Sequence, residues 1–321
     1  MITIFAIPKA FDGRFKIIQT NAIRSWAMLQ PKPEIILFGD DAGTGEIASE
    51  LRLRHVCDIE RNQYGTPLTD GIFDAGQKLA SNSLVCYVNS DIILMSDFMD
   101  MVKTVCVQFG NRGFVIIGRK ISVDIPDLLD FTAAEWEASL KRLLDGKGEY
   151  VTYDSDFFVF PKGTFYAMPA FAVGRCFWTQ WLIYDTRRRG IAVVDATSAV
   201  VSVESKHDYS HVASTGGATR LSGVEYVANR RLFKKSGAKY FMTLDASHIM
   251  TRSGLEKNHL RNRVKSWLVR FEYWVYFLLK GELYPYSVPL VVLLRWSRVG
   301  LRGIISPFRR TGGRCGPRIM Q

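Results

Sequence analysis

The chain has 321 residues, 47% hydrophobic and 23% charged, which is enough to build one large core or two ordinary ones without disulfide support. Its net charge is +11, yet 28 of its 42 basic and 28 of its 31 acidic residues precede Arg252, so residues 252–321 carry the whole excess. That placement argues against a nucleic-acid binder with a basic face along its body. Five cysteines, odd in number and without a CxxC pair, argue against a disulfide framework or zinc site and for a reducing compartment.

The first two hundred residues alternate short apolar runs with helical patterns. Ile2–Ile7 reads as a buried strand, followed by a helix capped by Asp12 with Phe15, Ile18, Ala22 and Trp26 on one face. Glu34–Phe38 is a second strand, Thr44–Leu53 a short helix and His55–Ile59 a third strand. Thr66-Pro67 predicts a helix start, with Leu68, Ile72, Ala75 and Leu79 as its buried stripe. Leu84–Val88 is the fourth strand, Ser96 caps the next helix, and Phe114–Gly118 is the fifth strand. Strands separated by helices predict right-handed crossovers and a mostly parallel sheet. Further on, Thr132 and Glu135 predict a capping box for a helix to Leu144. Phe157–Phe160 reads as a strand, Phe177–Arg189 as a helix, and Ile191–Val194 and Ala199–Val203 as short strands. The expected organisation is 1–125 as a ligand-binding half, 126–250 as a second half of the same domain, and 251–321 as a basic helical tail. In the tail, Val264–Leu279 and Val288–Leu294 are aromatic and apolar runs too short or too interrupted to span a bilayer. Aromatics among basic residues suit a helix lying on an anionic membrane surface. No secretion leader opens the sequence, so the expected location is cytoplasmic, peripheral on the inner face of a membrane.

Ligands of open α/β sheets bind beyond the carboxyl ends of the strands. Pro8 follows strand one, Asp40 and Asp41 follow strand two, and Asp91 follows strand four. Asp91 lies between the apolar runs Cys86-Tyr87-Val88 and Ile92-Ile93-Leu94, where an acid is costly unless it is paired, hydrogen-bonded or coordinating a metal. A diphosphate needs a divalent ion, and a hard ion takes carboxylate oxygens.

The stretch from Asn62 to Asp91 resembles the nucleotide-sugar half of GT-A fold glycosyltransferases. Asn89-Ser90-Asp91 is similar to their DxD-type motif, with Asn in the first place and the presumed metal ligand Asp91 kept. The resemblance implies a Rossmann-like GT-A fold, a nucleotide-sugar donor, UDP-linked by expectation, and Mn²⁺ or Mg²⁺ as cofactor. Phe38-Gly39-Asp40-Asp41 is similar to the paired acids that grip the nucleoside. Asp154 and Asp156, just before a strand, would meet the donor sugar or the acceptor. The segment Gly174 to Trp181 resembles an acceptor-side segment, with Arg175, Trp178 and Trp181 as acceptor contacts. Where many relatives carry an acid there, this chain has Thr179, which cannot act as a general base; Asp156 or Asp185 would have to replace it. His207, with His211 on the same face if the segment is helical, would supply a further metal ligand. The expected function is metal-dependent glycosyl transfer to a sugar, lipid-linked or protein acceptor, near an anionic membrane and without nucleic acid. Thr179 and Asn89 keep a non-catalytic nucleotide-sugar-binding protein open as the alternative. A sugar-nucleotidyltransferase is disfavoured, because Ile7-Pro8-Lys9-Ala10-Phe11 lacks a Gly-rich phosphate loop.

Overall fold

The computed structural model describes residues 1–145, 147–150, 153–207, 223–258 and 264–271. The chain divides into two units, Met1–Arg263 and Val264–Gln321. In the first, nine strands form one sheet. In sequence order they are β1 (Ile2–Ala6), β2 (Glu34–Phe38), β3 (Arg54–Val56), β4 (Leu84–Val88), β6 (Phe114–Gly118), β8 (Phe157–Pro161), β9 (Ala192–Asp195), β11 (His248–Thr251) and β12 (Gly254–Lys257). Their spatial order is β12-β11-β9-β6-β8-β4-β1-β2-β3. Pairing is parallel except where β8 meets β4 and β6 and where β12 closes a hairpin on β11. The fold class is therefore α/β with a mostly parallel sheet, as the alternation predicts.

The antiparallel β8 has a consequence for function. The residues before it lie at the same sheet edge as the residues after β4 and β6. Asp154 and Asp156 thus reach the edge that already carries Asn89-Ser90-Asp91, and Asn89 N–H donates to the Asp156 carbonyl at 3.0 Å.

A second sheet has three strands, ordered β5 (Ile92–Ile93), β10 (Val203–Ser205) and β7 (Ile121–Val123). Glu204 stands opposite Ile92 on one side and Ser122 on the other. This register sets Glu204 beside the residues that precede those strands, Asp91 and Lys120.

Helix α1 (Gly13–Met28) packs its apolar stripe, with Trp26 fully buried, on the sheet. It also clamps the site edge. Trp26 Nε1 donates to the Ile92 carbonyl at 2.8 Å, and Ser25 Oγ accepts from Leu94 N–H at 3.0 Å. Gln19 Nε2 donates to the Lys9 carbonyl, while its Oε1 accepts from Lys9 N–H and Ser90 Oγ at 2.8 and 2.9 Å. The turns after β1 and β4 are therefore tied together through one glutamine. The remaining helices are α2 (Thr44–Leu51), α3 (Thr69–Leu79), α4 (Ser96–Phe109), α5 (Trp136–Leu144), α6 (Trp178–Arg188) and α7 (Val224–Lys235).

Several boundaries differ from expectation. The Thr66-Pro67 start gives way to α3 at Thr69, because Arg61–Pro67 and Leu68–Ala172 form β-bridges that keep residues 67 and 68 extended. Ser96 is the first residue of α4 rather than its cap, and its hydroxyl donates to the Glu137 carboxylate at 2.8 Å. The Thr132 box does not form: Thr132 N–H and Oγ1 both donate to Asp130 Oδ1, and the helix begins at Trp136. The strand expected over 199–203 lies at 203–205, since Ala199 and Val200 turn back onto the Ala196 carbonyl. The strand expected over 55–59 is the three-residue β3.

The sheet runs past residue 250, so residues 251–257 belong to it rather than to a helical tail. In the second unit, residues 264–271 are helical, with Trp267 and Phe271 rings stacked at 5.8 Å. Among the described residues no helix is long and apolar enough to cross a membrane. The apolar runs beyond residue 271, like His211, lie outside the described residues.

Candidate functional site

A cleft opens at the sheet edge formed by the ends of β1, β4 and β6 and the start of β8. Asp91, Glu204 and His207 meet there, each offering one ligand atom, and these atoms all lie within 4.8 Å of one another. Asp91 Oδ1 is buried and has no hydrogen-bond partner among the described residues. Burial alone would push its carboxyl up, but the charges of Lys120 and then Lys9 hold it below the ordinary carboxylate value, so it is an anion. Glu204 moves the other way: burial raises its carboxyl against the pull of Lys120, and the Asp91 charge adds to the rise.

The His207 ring is set by its backbone. Nδ1 lies 3.2 Å from the Ser205 carbonyl, which can only accept, so Nδ1 carries the hydrogen. Burial keeps the imidazole below its usual value despite Asp91 nearby, so Nε2 presents a lone pair. Two carboxylates and one such nitrogen form a donor set that suits Mn²⁺ or another divalent ion. Their charge, the buried unpartnered oxygen and the fixed tautomer all fit the cation that the DxD-type resemblance implies.

Lys120 sits beneath this cluster, 8% exposed, with Nζ 2.5 Å from Glu204 Oε1 and 3.3 Å from Asp156 Oδ1. Asp156 also accepts from Asn89 Nδ2 at 3.3 Å. Asn89 in the first place of the motif therefore holds Asp156. Lys9 Nζ lies 4.9 Å from the centre of the Phe15 ring on the cleft wall.

The opposite wall is the segment 173–180. Asp154 accepts from Gln180 Nε2 at 2.6 Å and lines the cleft. Arg175 lines it too, but its guanidinium pairs with buried Glu225 of α7 at 2.5 Å. Trp178 meets Tyr87 edge-on at 5.3 Å, is 5% exposed, and forms part of an aromatic cluster with Phe73 and Phe158. Thr179, also buried, completes the wall.

Other expected site residues stand apart from the cleft. Asp40 and Asp41 both accept from Arg61 Nη2 at 2.8 Å and do not line it. Pro8 lies between the lining residues Ile7 and Lys9 without lining the cleft itself. Trp181 is buried against Phe171 and does not line the cleft. Asp185 does not line the cleft either, and Arg188 and Arg189 of its own helix end take its two oxygens at 2.8 Å each.

No protein-family model matches the chain, and no curated protein is similar to it. Solved structures do show likeness. S. aureus TarS in complex with UDP-GlcNAc aligns over 73% of this chain and 65% of that one, at 12% identity and TM-score 0.45. A TarS complex with UDP aligns over 38% of this chain and 36% of its own, at 17% identity and TM-score 0.31. Glucosyl-3-phosphoglycerate synthase from Mycobacterium tuberculosis with Mg²⁺ and UDP aligns over 74% and 80%, at 14% identity and TM-score 0.44. This chain thus spans less than two thirds of the length of the TarS chains.

Lys120, Glu204, Lys9 and Gln19 were not among the expected site residues. Lys120 had a signal, since it stands two residues beyond the carboxyl end of the fifth predicted strand, where ligands bind. Glu204 had a weaker one, an acid in the otherwise small and apolar run from Val200 to Ser205.

Proposed function

We propose that this chain binds a nucleotide-sugar in the cleft and transfers the sugar to an acceptor. The observation that carries this reading is the meeting of Asp91, Glu204 and His207 at the carboxyl edge of a mostly parallel sheet, with an unpartnered buried carboxylate oxygen. In such a transfer the bond from the sugar to the diphosphate breaks, a bond to an acceptor oxygen forms, and the acceptor proton leaves to a base. A divalent cation held by these three residues would neutralise charge on the departing diphosphate. Lys9 adds a fixed positive charge on the cleft wall, in an environment where preorganised charge is effective. Asp154, held by Gln180, is the acid on the wall opposite the cation cluster. The expected result is that UDP with Mn²⁺ raises the melting temperature beyond either alone, by about 2.7 kcal/mol of stability at a hundred times the dissociation constant. Absence of any shift across a panel of nucleotide-sugars with Mn²⁺ and Mg²⁺ would overturn the reading.

A second reading, nucleotide-sugar binding without transfer, is favoured by one observation. Asp156, one of the two expected bases, is buried and tied to Lys120 and Asn89, and Thr179 offers no carboxylate. Release of labelled product from a labelled donor separates the two.

The acceptor is proposed to lie at an anionic membrane face, on the ground that residues 252–321 carry all the net charge. Each Lys or Arg near such a surface contributes on the order of 1 kcal/mol. Full-length protein should co-sediment with phosphatidylserine vesicles and be partly released by salt, whereas a chain ending at Asn258, which keeps the β11–β12 hairpin, should not. Equal sedimentation of both would remove the tail from the explanation.

A further inference from the structure

We propose that Lys120 is a built-in counter-ion of the carboxylate cluster, and that it makes divalent-ion binding depend on the substrate diphosphate. The inference rests on the nucleotide-sugar reading and adds a role for a residue at the base of the same site.

The charges make the case. Asp91, Asp156 and Glu204 converge at one edge, and three carboxylates alone would form a strong cation trap. Lys120 is buried among them, with its ammonium on Glu204 and Asp156 at 2.5 and 3.3 Å. It cannot swing to solvent cheaply, because the side chain is only 9% exposed. Lys120 N–H also donates to Asp156 Oδ2 at 3.3 Å, so backbone and side chain are fixed on the same acid. Lys9 stands on the wall above. The resident ammonium therefore already offsets part of the carboxylate charge before any ion arrives. A divalent ion entering alone would meet that ammonium on one of its ligands, in a poorly solvated site. A diphosphate arriving with the ion brings negative charge to face the ammonium and supplies oxygens that Glu204, occupied by Lys120, shares poorly. Ion and nucleotide should therefore bind synergistically, and by linkage each should tighten the other by the same factor. Without the ammonium, the cluster should hold an ion by itself.

Mn²⁺ binding to the full chain, read from the loss of the free-ion electron paramagnetic resonance signal, tests this without any turnover. In the unaltered protein UDP should tighten Mn²⁺ by about tenfold or more. Lys120→Met should bind Mn²⁺ alone about tenfold tighter than the unaltered protein, and the enhancement by UDP should shrink. Lys120→Arg, which keeps the charge, should retain the weak, UDP-dependent binding. A folded Lys120→Met variant with no gain for Mn²⁺ alone overturns the role of Lys120 while leaving the nucleotide-sugar reading intact. So does equal Mn²⁺ affinity with and without UDP in the unaltered protein, which decides the matter even if Lys120→Met does not fold. If no form binds Mn²⁺ even with UDP, the nucleotide-sugar reading falls and takes this inference with it.

Discussion

Asp91→Asn should weaken Mn²⁺-dependent UDP binding about a hundredfold, a loss of about 2.8 kcal/mol, while the protein stays folded. The affinity loss follows from what the carboxylate does. One of its oxygens is buried without a hydrogen-bond partner, and the group is kept anionic by Lys120 and Lys9 against the cost of burial. That arrangement is useful only to something that brings positive charge. Asparagine keeps the shape and removes the charge, so the cation loses its anionic anchor from β4. The fold should survive because the turn does not depend on this side chain. Gln19 holds Ser90, Trp26 holds the Ile92 carbonyl, and Ile92 N–H closes the turn on the Asn89 carbonyl at 3.1 Å. Calorimetry with UDP and Mn²⁺, with circular dichroism on the same sample, checks both halves. Unchanged affinity in a folded variant would move the cation elsewhere.

The sequence made Asp91 legible because its signal is local. A buried strand, a polar turn and a second apolar run leave an acid at a strand end, and strand ends are where α/β sheets bind ligands. Local signals also misled. Asp40 and Asp41 sit at a strand end too, yet Arg61, about twenty residues on, takes both. Asp185 had its answer nearby, since Arg188 and Arg189 at i+3 and i+4 are placed to pair with it on a helix.

What could not be read required long-range pairing. Glu204 reaches Asp91 only because β10 pairs with β5 across more than a hundred residues, and Lys120 joins because β7 pairs with the other side of β10. Each of these strands is two or three residues long, too short to leave a periodic pattern. Asp154 and Asp156 were expected near the donor sugar or the acceptor by resemblance. Their placement follows from β8 running antiparallel between β4 and β6, and a run such as Phe157–Phe160 does not disclose its direction.

Arg175→Ala should cost about 3 kcal/mol of stability at neutral pH, with the penalty shrinking in acid. Arg175 and Glu225 form a buried pair at 2.5 Å, with side-chain exposures of 9% and 4%. Removing the arginine leaves a buried carboxylate with its Asn62 hydrogen bond, at 2.8 Å, but without its charge partner. The pH dependence has a definite sign. Burial tends to raise the Glu225 carboxyl, but hydrogen bonds from Asn62 and Thr66 and the Arg175 charge bring it below its ordinary 4.5. A lowered native value means a stabilising contribution that is present above 4.5 and is lost as pH falls through the native value. Arg175→Ala removes part of that contribution, so variant and parent should differ most at pH 7 and converge as pH falls through the parent's lowered Glu225 value, below which the carboxyl is protonated in both. The loss should also reach the cleft. Asn229 of the same helix binds the Ala172 and Cys176 backbones at 2.8–3.1 Å, and Phe177 packs on Tyr226 and Phe233. Helix α7 therefore braces the wall that carries Asp154's partner Gln180, and a loosened brace should weaken nucleotide-sugar binding more than binding of UDP alone. Denaturant unfolding from pH 7 down through the acid range gives the first readout and calorimetry the second. A penalty under 1 kcal/mol, or one that does not change with pH, would mean that Glu225 is satisfied by Asn62 and Thr66 and that Arg175 is on the wall for the ligand.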